Sequence, residues 1–140
     1  MTTLPIFIDD YELEDPEVGQ AFQEVLRRIP ESDVGEFPGV EVFTVPHTVE
    51  GANVRRYLGS WQIWLCPETL KKKVGGDRAA LRGLLAHEIA HAFLRHDAEK
   101  PGNDELREEA EADEKAREWV GEDVDTFRHR CGPPTLQPLR

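Results

Sequence analysis

The sequence predicts an α+β fold for a single domain. Its strand-like segments fall within the first 66 residues, and two long helical patterns follow Gly76. With 140 residues, of which 39% are hydrophobic, the chain has enough apolar material for one core. We therefore expect a small antiparallel or mixed sheet that packs against the helices of the second half.

Three segments of the first half have the composition of strands. In each, β-branched, leucine or aromatic residues predominate or alternate with polar ones. Gly59 interrupts the third segment and predicts a bend or bulge there. The segments are residues 4–8, 39–46 and 54–66.

Three helical patterns are marked by the residues at their ends. Asp15 and Asp77 stand where N-caps are expected, and Gly121 follows the last pattern as a helix-terminating glycine. The second pattern contains a run that is apolar almost all round, residues 79–93, as expected of a helix buried at the centre of a domain. The helices are predicted over about residues 16–29, 77–93 and 104–120.

The charge of the chain is strongly acidic and unevenly distributed. It carries 28 Asp and Glu against 17 Lys and Arg, a formal net charge of -11, and residues 97–125 hold nine of those net charges. This balance argues against nucleic acid or an anionic membrane as a partner, because both favour clustered Lys and Arg. The oligomeric state stays open.

Targeting signals and a cysteine framework are not recognisable in the sequence. The chain begins without a basic region, and no segment approaches the ~18 apolar residues of a membrane span. Its two cysteines, Cys66 and Cys131, form no CxxC pair. We therefore expect a cytoplasmic protein without a disulfide scaffold.

The motif with the clearest chemistry is His87-Glu88-Ile89-Ala90-His91, an HExxH sequence on the predicted central helix. Histidines four residues apart project from the same helix face and can bind one metal ion, while Glu88 lies within reach of a water on that ion. HExxH also occurs by chance in unrelated helices. Here, however, the polar residues are embedded in apolar sequence, where unpartnered polar groups are costly. We therefore predict a zinc site.

A catalytic zinc ion usually has three protein ligands, and the third is ambiguous from the residues alone. Asp97 has the sequence separation from His91 that some zinc peptidases use, but Leu94 replaces the glycine that turns their chain. His96 would point away from the metal if the helix continued through it. The acidic segment 109–113 of the last predicted helix offers carboxylates if the two helices pack together.

The two helices together resemble the gluzincin clan of zinc metallopeptidases. HEIAHAFLRH followed about twenty residues later by EEAEADEKA is similar to the M48-like, minigluzincin and ImmA-IrrE-like small members. The resemblance implies a minimal zincin-like fold, with Glu109 as the third zinc ligand beside His87 and His91. It also implies that Asp113 supports a ligand histidine. Glu108 and Glu111 remain as alternative ligands on the same helix.

This resemblance implies a zinc-dependent endopeptidase that hydrolyses peptide bonds of protein or peptide substrates. Glu88 would act as general base on a zinc-activated water. An antiparallel edge strand, expected within residues 57–65, would bind the extended substrate. The alternative function is a metal-stabilised regulatory or binding module without general proteolysis. A DNA-bound protease is disfavoured by the acidic charge.

The C-terminal segment suggests a further hypothesis. Residues 127–140 show no periodicity and are predicted to form a tail after a domain at 1–126. Arg130-Cys131-Gly132-Pro133-Pro134 resembles the cysteine switch of matrix metallopeptidase propeptides, which implies an inhibitory tail with Cys131 as a fourth zinc ligand. The oxyanion-stabilising residue is undecided among Tyr57, His129 and the arginines of the tail.

Overall fold

The fold is α+β, as predicted, with six helices and one small sheet in the part of the chain that the structure describes. The computed structural model describes residues 6–8, 15–45, 51–96 and 104–132. Within these ranges the elements in chain order are β1 (Ile6–Ile8), α1 (Pro16–Arg28), α2 (Glu31–Val34), β2 (Val40–Thr44), β3 (Ala52–Tyr57), β4 (Ser60–Leu65), α3 (Pro67–Val74), α4 (Arg78–Phe93), α5 (Glu105–Val120) and α6 (Asp123–Cys131).

The sheet is mixed, with the strand order β1-β2-β4-β3. β2 lies parallel to both β1 and β4, whereas β3 pairs antiparallel with β4. The segment predicted as one strand over residues 54–66 is a hairpin of β3 and β4. Its turn consists of Leu58 and Gly59, which both have positive φ (49° and 82°), so the interruption at Gly59 is a two-residue turn and not a bulge.

The edge of the sheet differs from the prediction. β4 lies between β2 and β3 and is paired on both sides, so most of the segment 57–65 cannot offer a free edge. The edge strand next to β4 is β3, which also contacts α4. Any strand addition on this side would therefore occur along residues 52–57.

The three predicted helices are confirmed as α1, α4 and α5. The carboxylate of Asp15 accepts hydrogen bonds from the backbone N–H groups of Glu17 and Val18, and that of Asp77 accepts one from Ala80, as N-caps do. Gly121 follows α5 with a φ of 62°. The helices α2, α3 and α6 were not predicted.

Helix α6, which was not predicted, includes part of the C-terminal segment that was expected to form a tail. Residues 127–131, expected to belong to an irregular tail, complete this helix, and Val124 and Phe127 are buried. The separation into a domain at 1–126 and a tail at 127–140 stays a prediction. The structure shows, however, that the chain packs against the domain at least to the end of α6.

Helix α4 occupies the centre of the molecule, as its apolar sequence indicated. It contacts α1, α3, α5, α6, β3 and β4. α6 approaches it so closely at Gly83 that a Cβ atom there would lie 2.1 Å from the carbonyl oxygen of Asp123. Arg82 reinforces this packing, because it pairs with Glu24 of α1 and Asp123 of α6. None of the helices in the described part of the chain is long and apolar enough to cross a membrane.

Candidate metal centre

The two histidines of α4 meet a carboxylate of α5 at one point. The Nε2 atoms of His87 and His91 lie 3.0 Å apart. Oε2 of Glu109 lies 2.6 Å from Nε2 of His87 and 3.3 Å from Nε2 of His91. The structure thus brings together the three residues predicted as ligands, and within its described part they form a group that could hold a metal ion.

Helix packing explains why these side chains converge. His87 and His91 are four residues apart on α4, so both project toward α5. On α5, the fully buried Ala112 and Ala116 leave room for close approach of the two helices. Glu109 precedes these two alanines on α5 and lies beside both histidines.

The geometry of the group fits a single divalent ion. The three interatomic separations define a triangle with a circumscribed radius of about 1.7 Å, and zinc bonds to nitrogen or oxygen are about 2.0–2.2 Å long. Because this radius is shorter than such a bond, one ion would be able to reach all three atoms. Two imidazoles and one carboxylate are also a ligand set typical of catalytic zinc.

Asp113 is hydrogen-bonded to the other ring nitrogen of His87. The Nδ1–H group of His87 donates a 2.7 Å hydrogen bond to Oδ1 of Asp113. Arg128 of α6 in turn donates to both oxygens of Asp113, from Nε at 2.8 Å and from Nη2 at 3.0 Å. Such a bidentate pair fixes the plane of the carboxylate, so three helices determine the orientation of the His87 ring.

The electrostatics of the group are dominated by its ion pairs. Burial lowers the pKa of His87, but the hydrogen bonds to Asp113 and Glu109 outweigh this effect and raise the pKa to about 9. Burial raises the pKa of Glu109, but hydrogen bonds to His87 and His91 hold it well below its ordinary value. Burial also raises the pKa of Asp113, but hydrogen bonds to His87 and Arg128 hold it below its ordinary value. Without a metal, His87 is therefore protonated at neutral pH and pairs with the ionised carboxylates of Glu109 and Asp113.

His96 occupies a different position from that of a ligand. Its Nδ1 lies 3.0 Å from Nδ1 of His91, on the side of that ring away from Glu109, and its Nε2 lies 3.0 Å from Oε1 of Glu111. Burial and the neighbouring His91 lower the pKa of His96. Glu111, which the sequence offered as an alternative ligand, thus contacts His96 and not the three-residue group.

The remaining alternatives for the third ligand were Glu108 and Asp97. Glu108 is not among the three converging residues. Asp97 lies outside the described residues. Glu88 follows His87 on α4, is half-buried, and its charge contributes to the raised pKa of His87. Its role as general base stays a prediction.

Cys131 and the suggested oxyanion-stabilising residues are scattered. The thiol of Cys131 lies 3.8 Å from the carbonyl oxygen of Lys73 and is not part of the three-residue group. Burial raises the pKa of this thiol, which disfavours the thiolate that a metal would require. His129 is exposed, and the side chain of Tyr57 lies outside the described residues.

Of the C-terminal arginines that the structure describes, Arg128 reaches the group, with Nη2 3.6 Å from Oε2 of Glu109. The pair of hydrogen bonds from Arg128 to Asp113 was not predicted, because the sequence separation of these two residues does not indicate a contact. His96 was considered only as a ligand. The signal for its actual position is the end of α4 at Phe93, since the chain has left the helix before residue 96.

Fold and site together define a small α+β protein with a His-His-Glu group suited to a divalent metal ion. The family model described as Peptidase U49 matches residues 78–131. The match covers less than half of the chain, but it contains all of α4, α5 and α6 and therefore every residue of the group. It supports a peptidase that acts on protein or peptide substrates. Comparisons with curated proteins and with solved structures found no match.

Proposed function

We propose that this protein is a zinc-dependent endopeptidase of the gluzincin type. The observation that carries the proposal is the convergence of His87, His91 and Glu109, whose ligand atoms lie 2.6–3.3 Å from one another. The hydrogen bond from His87 to Asp113 adds support, because ligand histidines in zinc sites generally donate their second N–H to a carboxylate or carbonyl. The family match over the same helices supports peptide bonds as the target.

In this proposal His87, His91 and Glu109 hold the ion. When bound there, zinc would act as a Lewis acid toward the scissile carbonyl and would lower the pKa of water toward ~7. Glu88 accepts a proton from the attacking water and returns it to the amine that leaves, which requires its carboxylate to be ionised at the start. Asp113 keeps the His87 ring in the tautomer with a proton on Nδ1 and an unprotonated Nε2.

The edge strand β3 offers a place for an extended peptide. It is hydrogen-bonded to β4 on one side and contacts α4, the helix of the histidines. A substrate segment that added to its other side would form main-chain hydrogen bonds without a demand for particular side chains. We expect the substrate to bind in this way along residues 52–57.

The decisive experiment combines metal analysis with cleavage of a peptide library. Wild type should contain about one zinc ion per chain and cleave at least one peptide. Glu88→Gln should retain the zinc but lose activity by about 10²–10⁴-fold, since it removes only the base. Glu109→Ala should lose most of the zinc, while Glu114→Gln, which changes an exposed carboxylate on α5, should behave as wild type.

The outcomes separate the proposal from its alternative. Undiminished cleavage by Glu88→Gln would contradict the mechanism. Full zinc retention by Glu109→Ala would contradict the ligand set. Wild type that holds zinc but cleaves nothing in the library would instead favour the metal-stabilised binding module.

A further inference from the structure

We infer that His96 and Glu111 position the metal ligand His91 through a hydrogen-bonded chain that runs from His91 to His96 to Glu111. The inference rests on the proposed function, since it treats His91 as a ligand. Both links are 3.0 Å long, one between the Nδ1 atoms of the two rings and one from Nε2 of His96 to Oε1 of Glu111. His96 is buried, so solvent offers its ring little competition.

The protons of this chain can be arranged in only one way when His91 is a neutral ligand. Its Nε2 faces His87 and Glu109 and must be unprotonated to bind a metal, so its proton is on Nδ1. That N–H donates to Nδ1 of His96, which must then carry its own proton on Nε2. The N–H at Nε2 of His96 donates to Glu111, so every ring nitrogen of His91 and His96 has a partner.

The backbone after α4 is built to deliver His96 to this position. The N–H of His96 donates to the carbonyl of His91 at 2.9 Å, and that of Arg95 donates to the carbonyl of Ala92 at 3.1 Å. This pair of bonds defines a Schellman motif, in which the residue just before His96 takes the left-handed conformation. Arg95 takes that conformation with a φ of 59°, where glycine is usual.

The side chain of Arg95 helps to hold this turn. It donates to the carbonyl oxygens of Phe93 and of Glu36, the latter in the loop after α2. A non-glycine residue in the left-handed region persists when its surroundings fix it. The turn therefore has a fixed geometry, which places the ring of His96 next to that of His91.

The consequence is that each ligand histidine has its own support. His87 is held by Asp113 and Arg128, and His91 by His96 and Glu111. Removing such a support typically lowers metal affinity by about 10–100-fold, because the ring loses its orientation and its fixed tautomer. We expect His96 to contribute an effect of this size.

The test uses the full-length protein and a matched pair of variants. Leu and Asn have nearly the same shape, but only Asn can place an acceptor oxygen near the position of Nδ1. His96→Leu should lower zinc affinity by about 10–100-fold in competition with a chelator, whereas His96→Asn should stay within about 3-fold of wild type. His129→Leu, at an exposed histidine, is the control and should leave affinity unchanged.

Imidazole ¹⁵N spectra of the zinc-loaded wild type provide an independent readout that a packing role would not produce. His96 should be neutral with its proton on Nε2, and a proton on Nδ1 would overturn the inference. Equal losses in His96→Leu and His96→Asn, or none in His96→Leu, would also overturn it. Failure of wild type to bind zinc, or normal binding by His91→Leu, would instead refute the proposed function.

Discussion

Replacement of Gly83 by alanine tests how tightly α6 is packed against the helix of the histidines. A Cβ atom there would lie 2.1 Å from the carbonyl oxygen of Asp123 and 2.9 Å from Cβ of Phe127. Carbon–oxygen contacts are normally no shorter than about 3.3 Å, so α6 must retreat by about 1 Å. Backbone atoms of a helix cannot rotate away as the end of a flexible side chain can.

The expected loss of stability follows from two opposing terms. Overpacking of this kind costs about 1–3 kcal/mol, and the backbone carbonyl places Gly83 at the upper end of that range. Alanine regains about 1 kcal/mol over glycine in a helix interior. We therefore expect Gly83→Ala to lower the free energy of unfolding by about 2 kcal/mol. For a chain of this length that corresponds to a melting temperature lower by roughly 7 °C.

Urea unfolding followed by tryptophan fluorescence would measure this change. Gly35→Ala is the matched control, because its Cβ would meet nothing within 4 Å and its φ of -69° suits any residue. That variant should stay within about 0.5 kcal/mol of wild type. A Gly83→Ala protein as stable as wild type would refute the close packing of α6. Zinc affinity should also fall, since α6 carries Arg128.

Two further predictions concern the supports of His87. Arg128→Met removes both hydrogen bonds to Asp113 and should lower zinc affinity by about 10-fold in chelator competition, whereas Arg117→Met, at an exposed surface pair with Asp125, should not. The second prediction is that zinc binding reverses the pH dependence of the free energy of unfolding. In the metal-free protein the pKa of His87 is raised to about 9, so its stabilisation is complete below pH 6.5 and is lost as pH rises through about 9. Zinc-loaded protein holds His87 unprotonated and should gain stability as pH rises through 6.5, which thermal unfolding with and without a chelator would measure. The same pH trend in both forms would contradict this assignment.

The sequence was sufficient for features that depend on local spacing. The four-residue interval of His87 and His91, and that of Glu109 and Asp113, fixed which side chains share a helix face. Helix ends were likewise predictable where a cap is formed by a neighbouring side chain, as at Asp77. These features need only the geometry of one helix and knowledge of which residues favour its ends.

Features that depend on tertiary contacts were not predictable in this way. The turn between β3 and β4 begins at Leu58, a residue with no intrinsic preference for its φ of 49°, so the two strands read as one. The sequence of helix α6 contains few apolar residues, and those that the fold buries are Val124 and Phe127. The pairing of Arg128 with Asp113 joins two helices, and no periodicity within either helix encodes it.

The acidic character of α5 can be explained in part by the groups around His87 and His91. Glu109, Asp113 and Glu111 each contact a histidine, and Arg128 neutralises one of these three carboxylates. With neutral imidazoles the groups retain two negative charges, which a divalent cation would cancel. In the absence of the ion a proton on His87 cancels one of them, because the hydrogen bonds of that ring to Asp113 and Glu109 raise the pKa of His87. The proton and the metal therefore compete for the same negative potential, and this competition makes the site responsive to both.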